Sequence, residues 1–133
     1  MAREKATVSE IGPLARRITV SVGPDHSLAE AARKMNAAKV GSAIVFKQDG
    51  QPGIITERDL LRAIADGTDL ENTAVADYMT QDAISASGKW DVEQAARRML
   101  DGGFRHLVVL DEKGEPVGML SIRDLVVSLL DQR

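Results

Sequence analysis

At 133 residues the chain is long enough for one compact domain or for two small halves sharing a core. Hydrophobic residues make up 44% but aromatics only 3%, so Ala, Val, Ile, Leu and Met must fill the interior. A net charge of −3, from 17 basic and 20 acidic residues interspersed along the chain, leaves no electrostatic footprint for a nucleic-acid backbone; there is no cysteine, and no apolar run suits a membrane span or signal peptide, so the expected location is the cytoplasm.

In chain order, "TVSV" at 19–22 is expected as an opening strand. Ser27 and Glu30 have the spacing of a capping box, which predicts a helix carrying the apolar stripe Leu28, Ala31, Ala32 and Met35. "SAIVF" at 42–46, the turn "QDGQ" and "GIITERDL" at 53–60 predict strand, hairpin, strand and a final helix. The pattern then returns. "AISA" at 83–86 is a second opening strand, and Asp91 with Gln94 starts a helix with the stripe Val92, Ala95, Ala96 and Met99. "HLVVL" at 106–110, "EKGE" and "GMLSIRDL" at 118–125 close it.

The two copies superimpose in one register. Ala31 falls on Ala95, an offset of 95 − 31 = 64, which also carries Ser21 onto Ser85, Val45 onto Val109, Gly50 onto Gly114 and Pro52 onto Pro116. After one inserted residue, Val117, the offset is 118 − 53 = 65, and Arg58, Asp59 and Leu60 fall on Arg123, Asp124 and Leu125. Each copy reads β-α-β-β-α, so the fold class is α+β with a twofold internal repeat, divided into residues 1–68 and 69–133. The final helices are apolar on more than one side, through Leu60, Leu61, Ala63, Ile64 and Ala65 and through Leu125, Val126, Val127, Leu129 and Leu130. A helix apolar on two sides needs two partners, and a homodimer is expected.

Thr56 with Asp59, and Ser121 with Asp124, put a hydroxyl at a helix N-cap and a carboxylate three residues later, directly after a glycine-led strand. One reading is a second pair of capping boxes. The other is a ligand site, because a carboxylate at a strand-to-helix turn accepts hydrogen bonds from a sugar diol while the helix N-terminus favours phosphate.

These ordered motifs resemble the tandem CBS-domain pairs, named after cystathionine β-synthase, of the stand-alone bacterial or archaeal type. The resemblance covers the chain from about Val8 to Leu130, including "VSEI" at 8–11 and "VADYMT" at 75–80 as the linkers that precede each unit. It implies two units packed sheet to sheet about a pseudo-twofold axis, with two clefts that receive adenosine-containing ligands. AMP, ADP or ATP is expected, with NAD and S-adenosylmethionine as alternatives, and no cofactor is required. The resemblance assigns Ser121 and Asp124 to one cleft and Thr56 and Asp59 to the other, the Asp holding ribose and the Ser or Thr holding phosphate or ribose. Val20 and Ser21, and Ile84 and Ser85, are assigned to the adenine. Arg105 and His106 open the middle strand of the second copy where the first has Gly41 and Ser42, so phosphate is expected at the second; the alternative is a solvated charge at Arg105 and a polar strand residue with a local hydrogen bond at His106. Arg58 and Arg123 either face phosphate or are exposed helix residues. Against the family pattern, the first linker has Gly12 and Pro13 where Met and Thr are usual, with three extra residues relative to Met79 and Thr80, and a distorted first cleft is expected. Trp90, in the loop before a helix, is expected as a packing cap or dimer contact.

An enzyme is not expected. His26 and His106 lie 80 residues apart without a clustered carboxylate, and no nucleophile elbow, P-loop or dinucleotide fingerprint occurs. Two functions remain: a regulatory module that binds an adenosine ligand and passes its effect to a regulated protein of unknown identity, or a ligand-free structural homodimer.

Overall fold

The structure, a computed structural model, describes residues 10–18 and 20–131. Thr19 of the expected strand 19–22, and Val8 and Ser9 of the first linker, lie outside the described residues. In chain order the elements are β1 (Arg16–Arg17), β2 (Ser21–Val22), α1 (Leu28–Ala38), β3 (Ser42–Val45), β4 (Gly53–Thr56), α2 (Glu57–Ala65), β5 (Ser85–Ser87), α3 (Val92–Gly102), β6 (His106–Leu110), β7 (Pro116–Ser121) and α4 (Ile122–Asp131). The expected β-α-β-β-α order is present twice, as β2-α1-β3-β4-α2 and β5-α3-β6-β7-α4, in an α+β fold with two sheets.

Contacts group the described residues into two compact units, residues 18–83 and residues 10–17 with 84–131. In the first unit the sheet order is β2-β3-β4, with β2 parallel and β4 antiparallel to β3. Ser27 caps α1 by accepting from the Glu30 N–H at 3.0 Å. Glu30 does not complete the expected box: its carboxylate lies 3.5 Å from His26 Nδ1 and 4.0 Å from Lys34 Nζ. Leu28, Ala31 and Met35 bury the inner face of α1 against Ala43, Val45 and Ile55 of the sheet and against Ala63, Val75 and Met79, while Ala32 sits at the edge of the stripe.

In the second unit the order is β1-β7-β6-β5, with β5 parallel to β6 and the other pairs antiparallel. Asp91 caps α3 by accepting from the Gln94 N–H at 2.7 Å. Val92, Ala95 and Met99 pack on Leu107, Val109, Leu120 and Leu125. Val117 is the extra residue of an irregularity at which Val109 still faces Gly118 but Leu110 faces Pro116. Trp90 is a packing cap: its ring lies on this core, with the Arg98 guanidinium 5.4 Å from the ring centroid.

The linkers follow a rule that the repeat pattern did not show. The Ile11 N–H donates to the Trp90 carbonyl at 2.9 Å, as the Val75 N–H donates to His26 at 2.7 Å. Both pairs keep the repeat offset, since 75 − 11 = 64 and 90 − 26 = 64. Gly12 and Pro13 therefore stand in the place of Ala76 and Asp77, and Ala15 and Arg16 in the place of Met79 and Thr80. The three extra residues expected after Gly12 and Pro13 are corrected by this register: there is no insertion. Each linker closes the sheet of the repeat it does not precede. Arg16 and Arg17 pair with Met119 and Gly118, whereas Thr80 bridges Ile54. The division at 68 and 69 follows the repeats; the packing units are drawn by this exchange. It also explains the glycines at the start of β4 and within β7, because a Cβ at Gly53 would stand 2.8 Å from the Thr80 carbonyl oxygen and one at Gly118 would stand 2.9 Å from Ala15 Cβ.

Candidate functional site

Each unit ends its hairpin in a strand-to-helix turn built the same way. At the second turn Asp124 Oδ2 accepts from the Ser121 N–H at 2.8 Å and from the Ser121 hydroxyl at 3.0 Å, while the Ser121 oxygen accepts from the Asp124 N–H at 3.1 Å. At the first turn Asp59 Oδ2 accepts from the Thr56 N–H at 2.9 Å and hydroxyl at 3.1 Å, and Thr56 Oγ1 accepts from the Asp59 N–H at 3.3 Å. Both are complete capping boxes. The capping reading is thus realised in full, and it occupies one oxygen of each carboxylate.

The other oxygen faces an arginine. Arg16 Nε donates to Asp124 Oδ1 at 3.2 Å, and an Arg62 guanidinium nitrogen donates to Asp59 Oδ1 at 3.2 Å. The carboxylates are well covered, with side chains 11% and 14% exposed, whereas Arg16 is 76% and Arg62 57% exposed. An Oδ1 with one donor retains acceptor capacity, and its direction is fixed by the cap behind it.

The other expected residues lie around these turns. His106 stands opposite Ser121 in the β6–β7 ladder, and the Arg105 carbonyl accepts from the Ile122 N–H at 2.9 Å. Arg105, His106, Ser121 and Asp124 therefore come together at one end of the sheet. Ser85 lies on the neighbouring strand opposite Val108, and the Ile84 carbonyl accepts from the Val108 N–H at 2.9 Å. In the first unit Ser42 stands opposite Thr56, the Gly41 carbonyl accepts from the Glu57 N–H at 3.0 Å, and Ser21 and Val20 flank Ile44 on the adjoining strand. Arg58 and Arg123 are both exposed.

Three residues at these turns escaped the sequence reading. Arg62 was open to it, since it lies three residues beyond Asp59 on a helix. Arg16 was not, because 108 residues separate it from Asp124. Glu57 became visible only once its position over Gly41 was known. Among the described residues no group of three or more His, Asp or Glu could hold a metal ion, and no helix is long and apolar enough to cross a membrane.

A family model described as the CBS domain matches residues 8–66 and 75–131. A 17.7 kDa protein of Acidianus ambivalens is 37% identical over 124 residues, which cover 92% of this chain and 74% of that protein. The solved structure of a CBS-domain containing protein from Agrobacterium tumefaciens matches with a TM-score of 0.78 at 34% identity, covering 92% of this chain and 94% of that one. That of a CBS domain protein from Pyrobaculum aerophilum, complexed with AMP, matches with a TM-score of 0.78 at 30% identity, covering 92% and 99%. No catalytic family is indicated by these matches.

Proposed function

The chain belongs to the CBS-domain family, and from that premise we propose that it is a regulatory module that binds an adenosine-containing ligand, AMP, ADP or ATP, at its strand-to-helix turns without chemical conversion. Asp124 carries the reading. Its Oδ2 accepts twice from Ser121, so Oδ1 is held in a fixed direction, with the exposed Arg16 alone against it among the described residues, and that oxygen accepts ribose hydroxyls. Cap and ribose acceptor are then one arrangement: the cap prepays the ordering of the carboxylate. Arg105 and His106 neutralise phosphate beside it, and Ile84 and Ser85 border the adenine. Thr56 and Asp59, with Val20 and Ser21, form the corresponding site of the first unit. The AMP complex of the Pyrobaculum aerophilum relative supports the ligand class.

Ligand binding shifts the module's shape or association, and the effect passes to a regulated protein in the cytoplasm. The second reading, a structural homodimer, draws on the apolar residues that α2 and α4 leave exposed, Leu61 and Ile64 on one and Leu129 and Leu130 on the other. Dimerisation accompanies the regulatory role and does not compete with it. A thermal-shift panel of AMP, ADP, ATP, NAD and S-adenosylmethionine tests the ligand class, with adenosine as the uncharged reference. Arg105→Ala is expected to reduce the shift for phosphorylated ligands and to spare adenosine. Equal loss for both would contradict the role given to Arg105.

A further inference from the structure

The two turns are alike in their capping boxes and opposite in charge at the next residue out. In both units the first residue of the closing helix donates its N–H to the residue that precedes the middle strand, Ile122 to Arg105 and Glu57 to Gly41. At this shared position the second unit has a guanidinium side chain beside an uncharged helix start. The first unit inverts it. A Cβ at Gly41 would stand 2.8 Å from Glu57 Oε1, so the Glu57 carboxylate fills the space in which Arg105 begins its side chain. Glu57 also lies in the first turn of α2, where its charge adds to that of Asp59 at the helix N-terminus, whereas at the same position α4 has the uncharged Ile122 and its first turn carries Asp124. Lys34 is a further cation of the first unit, its Nζ donating to the Ser21 carbonyl at 3.4 Å and lying 4.0 Å from the Glu30 carboxylate. Arg58 and Arg123 are equivalent, and among the described residues each carboxylate meets one arginine, Arg62 on Asp59 and Arg16 on Asp124.

We propose that Glu57 is a specificity-determining residue that makes the turns unequal: the Thr56 turn takes a ribonucleoside whose 5′ substituent is uncharged or cationic, and the Ser121 turn takes one ending in phosphate. The inference rests on the reading of both turns as ribose sites. One chain therefore senses two ligand classes, and phosphorylated nucleotide does not saturate the first turn.

Calorimetric titration with adenosine and AMP separates the turns. Asp124→Ala leaves the Thr56 turn, which is expected to bind adenosine more tightly than AMP; Asp59→Ala leaves the Ser121 turn, with the opposite preference. Adding Glu57→Gln to Asp124→Ala keeps the side-chain volume and removes the charge. It is expected to tighten AMP by about fivefold at low salt while adenosine stays within about twofold. The gain is expected to vanish near molar salt, where screening acts over about 3 Å. AMP bound at least as tightly as adenosine at the Thr56 turn, adenosine failing to bind there, or AMP unmoved by Glu57→Gln overturns this inference alone. Binding of neither ligand to the unaltered protein overturns the ribose reading as well.

Discussion

Asp124 and Asp59 each commit one carboxylate oxygen to a helix cap and turn the other to an arginine, the oxygen to which the proposed function gives the ribose. Oδ2 takes two donors from the capping residue, which fixes the helix start, and Oδ1 turns to the arginine. The two roles come apart on substitution. Asp124→Ala is expected to lower the unfolding free energy by about 1 kcal/mol without ligand, the scale of a lost helix cap. It is also expected to remove the stabilisation by nucleotide. Asp124→Asn keeps an oxygen for the Ser121 N–H and is expected to retain most of the stability while still losing affinity. Urea unfolding with and without AMP checks both; if Asp124→Ala unfolds earlier but gains the same increment from AMP as the unaltered protein, the carboxylate is a cap alone.

At the scale of elements, the repeat places unequal residues in equal backbone. α1 ends at Lys39 with φ 59° and ψ 42°, the left-handed conformation that Gly103 adopts at the end of α3 with φ 71°. A side chain pays a steric penalty there that glycine avoids, so Lys39→Gly is expected to raise stability by about 0.5–1 kcal/mol, seen as a higher urea midpoint at unchanged slope. Gly103→Lys is expected to lower it. Hairpins, capped helices and final helices were legible in the sequence because their signals are local: Gly50 and Gly114 at the turns, and a hydroxyl three residues before a carboxylate. The exchange of linkers was not. Arg16 and Arg17 are two exposed charged residues with no apolar alternation, and their partners, Met119 and Gly118, lie far along the chain. The same limit applies to the candidate site. The repeat exposed Thr56, Asp59, Ser121 and Asp124, but no spacing rule links Arg16 to Asp124, and Glu57 gained meaning only from the space left at Gly41.

For the whole molecule, the proposed ligand turns are accompanied by exposed apolar helix faces. Leu125 is buried in its own unit while Val126, Val127, Leu129 and Leu130 on the same helix are about half exposed, and α2 leaves Leu61 65% and Ile64 59% exposed. Such faces are the ones proposed to pack against a second copy of the chain. Sedimentation at micromolar concentration is expected to show a dimer, and Leu129→Glu to shift it toward monomer with unchanged far-ultraviolet circular dichroism; a monomeric unaltered protein removes the argument. The claim on which the rest depends is binding of adenine nucleotide without turnover, and titration calorimetry with AMP, followed by chromatography of the recovered ligand, addresses it most directly. The account predicts saturable heat from the unaltered protein and intact AMP afterwards. At about 100 times the dissociation constant it also predicts roughly 2.7 kcal/mol of added stability, which raises the melting temperature by several degrees. Absence of both heat and thermal shift, or recovery of converted nucleotide, contradicts it.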